Sequence, residues 1–160
     1  MFKLYKRGEM GEILAYHEVW VDQRSRSIVE HWGMLGERGE IATHRIKLLK
    51  SLEKQIDTLL APAEALGFHG LDEGERQTLI VEYTYGEDWR RDDIEKIRAA
   101  EDALTETLGW TGLGTCEGET HKENTVEFTC RVIDIDRAQK QITEQLMETE
   151  FSDYSRIYQE

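Results

Sequence analysis

The run of residues 31–39, His-Trp-Gly-Met-Leu-Gly-Glu-Arg-Gly, constrains the fold of this 160-residue chain more than any other segment. Its glycines, Gly33, Gly36 and Gly39, follow one another at intervals of three residues. Such a run does not favour a helix, because glycine loses more conformational freedom on folding than any other residue. Glycine also permits positive φ angles and the close approach of another backbone segment. We therefore predict a turn here, with the large ring of Trp32 at its edge.

The segments on either side of the glycine run have the composition of β-strands. Residues 28–32 and 40–46 combine Ile, Val, Thr, Ala and Trp, and residues 13–21 have the same β-favouring character. Residues 2–5 open a further strand, and the glycine-containing segment 8–11 is typical of a turn. We predict an antiparallel sheet in which the glycine run joins two strands as a hairpin.

The hydrophobic period changes after residue 46. Apolar side chains then recur at intervals of three and four residues, as on one face of an amphipathic helix: Leu49, Leu52, Ile56, Leu59 and Ala63. Pro62 is expected to break this helix or to start a second short helix, because proline costs about 3 kcal/mol in a helix interior. Gly67 is expected to end it. The polar segment that follows predicts a boundary between domains at 1–70 and 77–160.

Residues 1–70 resemble the WGR domain, a small β-rich module named after its Trp-Gly-Arg signature. The order of strands, Trp-Gly turn, strand and helix is similar, and Ala65-Leu66-Gly67-Phe68 looks like the Gly-aromatic segment that follows the helix in that family. Trp32 and Gly33 match the first two signature positions. The third position, arginine in the family, is Met34.

The resemblance implies a small antiparallel sheet with one helix. In poly(ADP-ribose) polymerases, WGR domains contact DNA near a strand break, so the resemblance implies nucleic-acid binding through Trp32, Gly33 and Arg38. Arginine holds a phosphate through two parallel hydrogen bonds, which the methionine at position 34 cannot make. Nucleic acid is therefore an alternative partner in our interpretation, and not the expected one.

The second half of the chain has the element order βαββαβ. Strands are predicted around residues 79–85, 110–116, 126–132 and 151–158, and helices around 94–108 and 138–146. This is the order of the ferredoxin-like split βαβ fold. The helices would cover the sheet face of Val81, Tyr83, Phe128 and Cys130. The open face would carry Glu82, Thr84, Glu127, Thr129 and Arg131.

The predicted fold class is thus α+β, with an antiparallel WGR-like sheet and helix followed by a ferredoxin-like βαββαβ sandwich. A polar open sheet face can bind a ligand or a second copy of the chain, so a homodimer stays open. The N-terminus lacks the apolar core of a signal peptide, and no apolar run approaches about 20 residues, so we expect a cytoplasmic protein without a membrane span.

The net charge of −13 is unevenly distributed along the chain. Residues 1–76 carry 11 Lys and Arg against 13 Asp and Glu, whereas residues 77–160 carry 9 against 20. The second half would repel phosphate backbones, because nucleic-acid affinity depends on basic side chains. It would attract a basic partner. The basic pairs Arg24/Arg26 and Arg90/Arg91 are interpreted as loop charges that favour solubility.

An acidic segment offers the strongest pattern for a metal site. Glu117, Glu119, His121 and Glu123 alternate along a predicted hairpin arm, which would place them on one side. Carboxylate and imidazole ligands suit a divalent metal. The alternative, which we favour, is a solvated hairpin tip, because metal ligands usually converge from several elements.

Other catalytic patterns are absent from the sequence. It contains no Gly-Lys-Thr phosphate loop and no serine in a nucleophile elbow. Cys116 and Cys130 could pair across a hairpin, but we expect reduced, packed thiols. We predict no catalytic residues and no cofactor.

The sequence therefore favours a non-catalytic interaction protein of immunity or regulatory type, whose acidic half binds a basic protein partner. Asp88, Asp92 and Asp93 are the expected partner-binding residues, and reversing their charges should abolish capture of the partner. A metal-dependent enzyme using the acidic hairpin is the remaining alternative.

Overall fold

The protein has an α+β fold made of two compact units, as predicted for the fold class. The computed structural model describes residues 1–85 and 91–160, and in the second range it describes side chains from residue 94 onward. Unit 1 comprises Met1–Asp72 and unit 2 comprises Glu73–Glu160. Within the described ranges, no helix combines the length and the apolar character needed to cross a bilayer.

Unit 1 is a five-stranded antiparallel sheet with one helix. The strands are β1 (Phe2–Arg7), β2 (Ile13–Asp22), β3 (Ser27–Met34), β4 (Glu40–Arg45) and the short β5 (Phe68–His69), in the spatial order β4-β3-β2-β1-β5. Helix α1 (Leu52–Ala65) lies between β4 and β5 in the chain. The glycine run joins β3 to β4 as a hairpin, with Trp32 opposite Glu40.

The apolar core of unit 1 lies between the sheet and α1. Val19 and Ile28 of the sheet pack with Ile56 and Leu60 of the helix, all of them buried. Ser51 caps the helix by accepting a hydrogen bond from the Lys54 amide, which satisfies one of the free N–H groups of the first turn. The amphipathic pattern of the sequence therefore corresponds to one buried helix face.

Two details of the predicted helix are wrong. Pro62 does not break α1, which continues to Ala65. Only three helical residues follow Pro62, so a distortion at the proline affects little more than the last turn. Leu49 lies before the helix and is fully exposed. Gly67 follows the last turn with a φ of 87°, as expected for a helix stop.

The glycine spacing reflects close packing around the Tyr16 ring. A Cβ atom on Gly33 would lie 2.8 Å from Gly39 Cα and 3.1 Å from the Tyr16 hydroxyl. A Cβ atom on Gly39 would lie 2.8 Å from His31 Nε2, and closer still to the Tyr16 hydroxyl and to the backbone carbonyl of Trp32. Neither position has room for a side chain, so glycine is required at both.

We expect Gly39→Ala to destabilise unit 1 by about 2 kcal/mol, because the added methyl group overpacks the site. The matched control is Gly70→Ala, since a Cβ atom at Gly70 would meet nothing within 4 Å. Chemical denaturation, followed by hydrogen exchange of the β2 and β3 amides, measures the difference. Equal unfolding free energies for the two variants would contradict this account.

Unit 2 is a four-stranded antiparallel sheet with two helices. Its strands are β6 (Gln77–Thr84), β7 (Gly114–His121), β8 (Thr125–Val132) and β9 (Arg156–Gln159), in the spatial order β7-β8-β6-β9. Helix α2 (Arg91–Trp110) joins β6 to β7, and α3 (Ile135–Met147) joins β8 to β9. The element order is βαββαβ, and β9 pairs along β6 at the edge of the sheet.

Successive side chains of a strand point to opposite faces of the sheet, so the unit 2 sheet has one apolar face and one polar face. Val81 lies opposite Phe128 and Leu79 lies opposite Cys130. These side chains are buried together with the apolar faces of the helices: Ile97, Leu104 and Leu108 of α2, and Ala138, Ile142 and Leu146 of α3. The other face carries Glu82 opposite Glu127. Asp134 caps α3 by accepting a hydrogen bond from the Arg137 amide.

Candidate functional site

The structure places the residues of the Trp-Gly signature on different faces of the unit 1 sheet. Trp32 is half-buried and lies opposite His17 on β2, with the ring centroids 6.3 Å apart. Gly33 lies opposite Tyr16 and therefore faces the other side. Met34 and Arg38 are exposed. The ring of Trp32 thus lies on one side of the sheet, and the close backbone packing at Gly33 lies on the other side.

The Gly33 side of the sheet carries a buried chain of polar side chains. The carboxylate of Glu18 forms ion pairs with Lys3 Nζ at 3.0 Å and with His31 Nδ1 at 2.7 Å. His31 Nε2 then lies 3.1 Å from the Tyr16 hydroxyl, which donates to the Glu37 carbonyl at 3.3 Å. Tyr16, Glu18 and His31 are at most 4% exposed. This chain, which we call the Glu18 network, connects β1, β2 and β3 to the glycine turn.

The Glu18 network shifts the pKa values of its acids in opposite directions. Burial acts most strongly on Glu18 and opposes its ionisation, but the hydrogen bond from His31 and the charge of Lys3 together outweigh it, so the pKa of Glu18 lies below its ordinary value. Burial, helped by the negative charge of Glu18, raises the pKa of Tyr16. Glu18 is therefore held as a carboxylate and Tyr16 as a neutral phenol. This arrangement suits a structural ion pair better than a nucleophile.

We expect Glu18→Gln to destabilise unit 1 by about 3 kcal/mol, because it leaves Lys3 and His31 without a charged partner in a buried site. The matched control is Glu144→Gln in unit 2. Its carboxylate lies 3.8 Å from Lys140 with both side chains largely exposed, so the loss there should stay below about 1 kcal/mol. Urea denaturation with hydrogen exchange of each unit's strands measures both effects.

The same variant tests the sign of the pH dependence. The unfolded chain takes up a proton on Glu18 near the ordinary pKa of 4.5, whereas the folded protein does so only at lower pH. Unit 1 should therefore lose stability as the pH falls below about 4.5 and through the folded pKa. Glu18→Gln should flatten that slope. The same acid dependence in both proteins would rule out this role for Glu18.

The other side of the unit 1 sheet holds a second group of ionisable residues. Glu30 Oε2 lies 2.8 Å from His44 Nε2, within hydrogen-bond geometry. Glu30 Oε1 lies 3.0 Å from His17 Nε2, an ion-pair distance without hydrogen-bond geometry. The His17 ring also meets the edge of Phe68, with centroids 6.3 Å apart. In the part of the chain that the structure describes, no group of three or more His, Cys, Asp or Glu is arranged to hold a metal ion.

The acidic hairpin of unit 2 brings together two of its four predicted ligands. His121 Nε2 lies 3.0 Å from Glu119 Oε1, and both side chains face solvent. Glu117 lies at a β-bulge, where the register with β8 shifts between Cys116 and Gly118. Glu123 lies in the connection between β7 and β8. The bulge interrupts the alternation on which the predicted shared side depended.

The carboxylates on the open face of the unit 2 sheet are paired with basic side chains of the same unit. The Arg156 guanidinium binds both oxygens of Glu82, at 3.0 and 2.7 Å, and stacks over the Tyr158 ring. Lys122 and the Tyr158 hydroxyl bind Glu127. The hydrogen bond from Lys122 lowers the pKa of Glu127. The two opposed carboxylates are thus balanced within the sheet, which leaves the acid excess of unit 2 elsewhere.

Cys116 and Cys130 face each other directly across β7 and β8, and both are free thiols. The hydrogen bond from the Cys130 thiol lowers the pKa of Cys116. The same hydrogen bond, together with burial, raises the pKa of Cys130. Cys116 is half-buried, whereas Cys130 is fully buried. The pair therefore presents one reactive sulfur and one protected sulfur.

We expect iodoacetamide to alkylate Cys116 well before Cys130, because the thiolate is the nucleophile. Peptide mass spectrometry over a time course at neutral pH measures the two rates. Cys130→Ala removes the hydrogen bond, so the pKa of Cys116 should rise and its alkylation should slow. Faster labelling of Cys130, or an unchanged Cys116 rate in the variant, would contradict the assignment.

Six exposed carboxylates of unit 2 lie on its helices or at the end of α3. They are Glu95, Asp102 and Glu106 on α2, Asp136 and Glu144 on α3, and Glu148 at the C-cap of α3. The described side chains of these helices include four basic residues, Lys96, Arg98, Arg137 and Lys140. Three of these four are paired with carboxylates, with Arg98 the exception. Together the exposed carboxylates form what we call the acidic helix surface.

The predicted partner-binding residues are outside what the structure describes. Asp88 lies in the undescribed segment 86–90. Asp92 and Asp93 belong to α2, but their side chains are among those not described. The acidic helix surface, defined by the residues after them, is the described feature nearest to that prediction.

Comparisons with known proteins found no match for this chain among protein-family models, curated proteins or solved structures.

The Glu18 network is not among the sites that the sequence predicts. A signal for it exists: Glu18 and His17 interrupt an otherwise apolar, β-favouring segment, and alternation places Tyr16 and Glu18 on one side. A carboxylate inside such a strand predicts a buried partner. Nothing in the sequence shows that Lys3 and His31 are that partner, because strand register brings them together.

Proposed function

We propose that this protein is a non-catalytic, cytoplasmic interaction protein whose second unit binds a basic protein partner through the acidic helix surface. The observation that supports this proposal is the charge of unit 2. Residues 73–160 carry 22 Asp and Glu against 10 Lys and Arg, while residues 1–72 carry 11 against 10. A surface of one sign speeds encounter with a partner of the opposite sign.

The distribution of ion pairs supports the helices, and not the sheet, as the binding face. On the open sheet face, Glu82 and Glu127 are engaged by Arg156 and Lys122. On α2, the described side chains carry four carboxylates against two basic groups. On α3, two carboxylates and two basic groups balance, and Glu148 at its C-cap adds one carboxylate. An incoming basic surface would therefore find an excess of negative charge on α2 and at the end of α3.

The same proposal assigns unit 2 to the ferredoxin-like class and unit 1 to the WGR-like class. The βαββαβ order and the strand order β7-β8-β6-β9 support the first assignment. The Trp-Gly hairpin followed by a helix and Phe68 supports the second. A role for Trp32, Gly33 and Arg38 in DNA binding is less well supported, because Trp32 and Gly33 serve opposite faces of the sheet.

The test compares two variants with the same change in net charge. The first reverses the helix surface, with Asp102→Lys, Glu106→Lys and Glu148→Lys. The second reverses the hairpin, with Glu117→Lys, Glu119→Lys and Glu123→Lys. Both move the net charge from −13 to −7. Lysine is a good helix former, so the helices should persist.

We expect wild type and the hairpin variant to capture the same basic protein at moderate salt, and the helix variant to lose it. Affinity capture with quantitative mass spectrometry measures this difference, and circular dichroism checks that all three proteins are folded. Equal capture by both variants would place the contact elsewhere. The absence of any basic protein bound by wild type would contradict the proposed function.

A further inference from the structure

Unit 1 contains a groove lined by basic side chains, in contrast to the acidic helix surface of unit 2. This groove of about 790 Å³ lies where the β2–β3 turn meets the end of β4. Arg26 and Arg45 line it, together with Ser25, Ser27 and Thr43. We call it the arginine groove. Its volume lies within the range of about 300–1,000 Å³ that is usual for small-molecule sites.

The arginine groove has an apolar wall as well as a cationic one. Val21, Ile46 and Leu48 line it, and Leu48 is 97% exposed. A mainly apolar wall with a few polar groups that converge on one region is typical of sites for organic ligands. The composition of this groove therefore predicts a ligand with an anionic head and an apolar body.

The charge of the lining is unusual for this chain. No Asp or Glu is among the described residues that line the arginine groove, although acidic residues outnumber basic ones by 33 to 20 in the sequence. A smaller hollow of about 130 Å³ shares Arg45 and adds Lys47 and Lys50, again without a carboxylate in its described lining. Four basic side chains are thus concentrated at one end of unit 1.

The two carboxylates nearest in the chain to Arg26 have other hydrogen-bond partners. Asp22 accepts hydrogen bonds from the Ser25 hydroxyl and the Arg24 amide within its own turn. Glu30 binds His44. Among the described residues, no ion pair joins Arg26 or Arg45 to an acidic side chain. The two guanidinium groups therefore retain their capacity for an external anion.

The backbone conformation of Arg26 also supports a binding site at this groove. Its φ is 53°, the only positive φ of a non-glycine residue in the described part of the chain. This left-handed conformation favours glycine, asparagine or aspartate, and it strains an arginine. Strained residues of this kind concentrate at binding sites. Arg24 and Arg26 are close in the sequence and were predicted to be loop charges alike, but only Arg26 lines the groove.

We propose that the arginine groove binds a small phosphomonoester, whose phosphate contacts Arg26 and Arg45 and whose organic part lies against Val21 and Ile46. Guanidinium groups match phosphate oxygens through paired hydrogen bonds. The Thr43 hydroxyl can donate to a remaining oxygen. This site is independent of the acidic helix surface, because it lies in the other unit and attracts ligands of the opposite charge.

Phenyl phosphate is the first probe, titrated into the full chain at low ionic strength and followed by calorimetry and by ¹H–¹⁵N NMR. We expect saturable binding at millimolar or lower concentration, with shifts centred on residues 21–27 and 43–48. Phenol should bind much more weakly, since it lacks the anion. Inorganic phosphate should bind more weakly than phenyl phosphate, since it lacks the apolar part.

Three variants test the residues that carry the proposal. Arg45→Gln and Arg26→Gly should each weaken phenyl phosphate binding by about tenfold or more, as expected for loss of a charged hydrogen bond. Arg26→Gly should leave the thermal midpoint unchanged or raised, because glycine adopts the φ of this position without strain. Arg24→Gln is the matched control and should bind like wild type.

The outcomes separate the proposal from its rivals. Absence of binding at about 10 mM phenyl phosphate, or equal binding by wild type and both groove variants, would overturn it. Equal affinity for inorganic phosphate would overturn the apolar subsite. Much tighter binding of a single-stranded oligonucleotide, lost in the same two variants, would show that the groove belongs to a nucleic-acid surface and would overturn the small-molecule assignment.

Discussion

The buried carboxylate of Glu18 determines how unit 1 is assembled. A charge in such a position is tolerated only when it is paired and hydrogen-bonded. Its partners, Lys3 and His31, come from the strands on either side of β2. A slip of one residue in either strand pair would turn one of these two partners to the opposite face and remove it from the carboxylate. The ion pair therefore fixes the register of three strands, beyond any stability that it adds.

The glycine turn depends on the same network. Tyr16 lies beside His31 and donates to the carbonyl of Glu37, so the turn folds down onto the phenol ring. That contact leaves no space for a side chain at Gly33 or Gly39. The spacing that distinguishes the sequence is thus a consequence of packing against a buried polar chain. A Trp-Gly signature can arise in this way without any ligand at the turn.

The sequence predicted the elements of this fold better than their connections. Alternation and glycine spacing predicted the β3–β4 hairpin, and the period change predicted a helix that ends before Gly67, because both patterns depend on neighbouring residues. The persistence of α1 through Pro62 depends on how close the helix end lies. The bulge at Glu117 depends on pairing with β8. The Glu18 network joins residues from three strands. Such long-range pairings have no local signature in the sequence.

The charges of the chain are separated by unit, and this separation limits what each unit can bind. Unit 1 is close to neutral, yet basic side chains line its groove, whereas unit 2 carries almost all of the net negative charge. A phosphate ester is repelled by the acidic helices, and a basic protein is repelled by the arginine groove. The two proposed ligands therefore do not compete for the same surface. Because both attractions involve exposed groups, added salt should weaken both, while changes to residues of one unit should leave binding to the other unchanged.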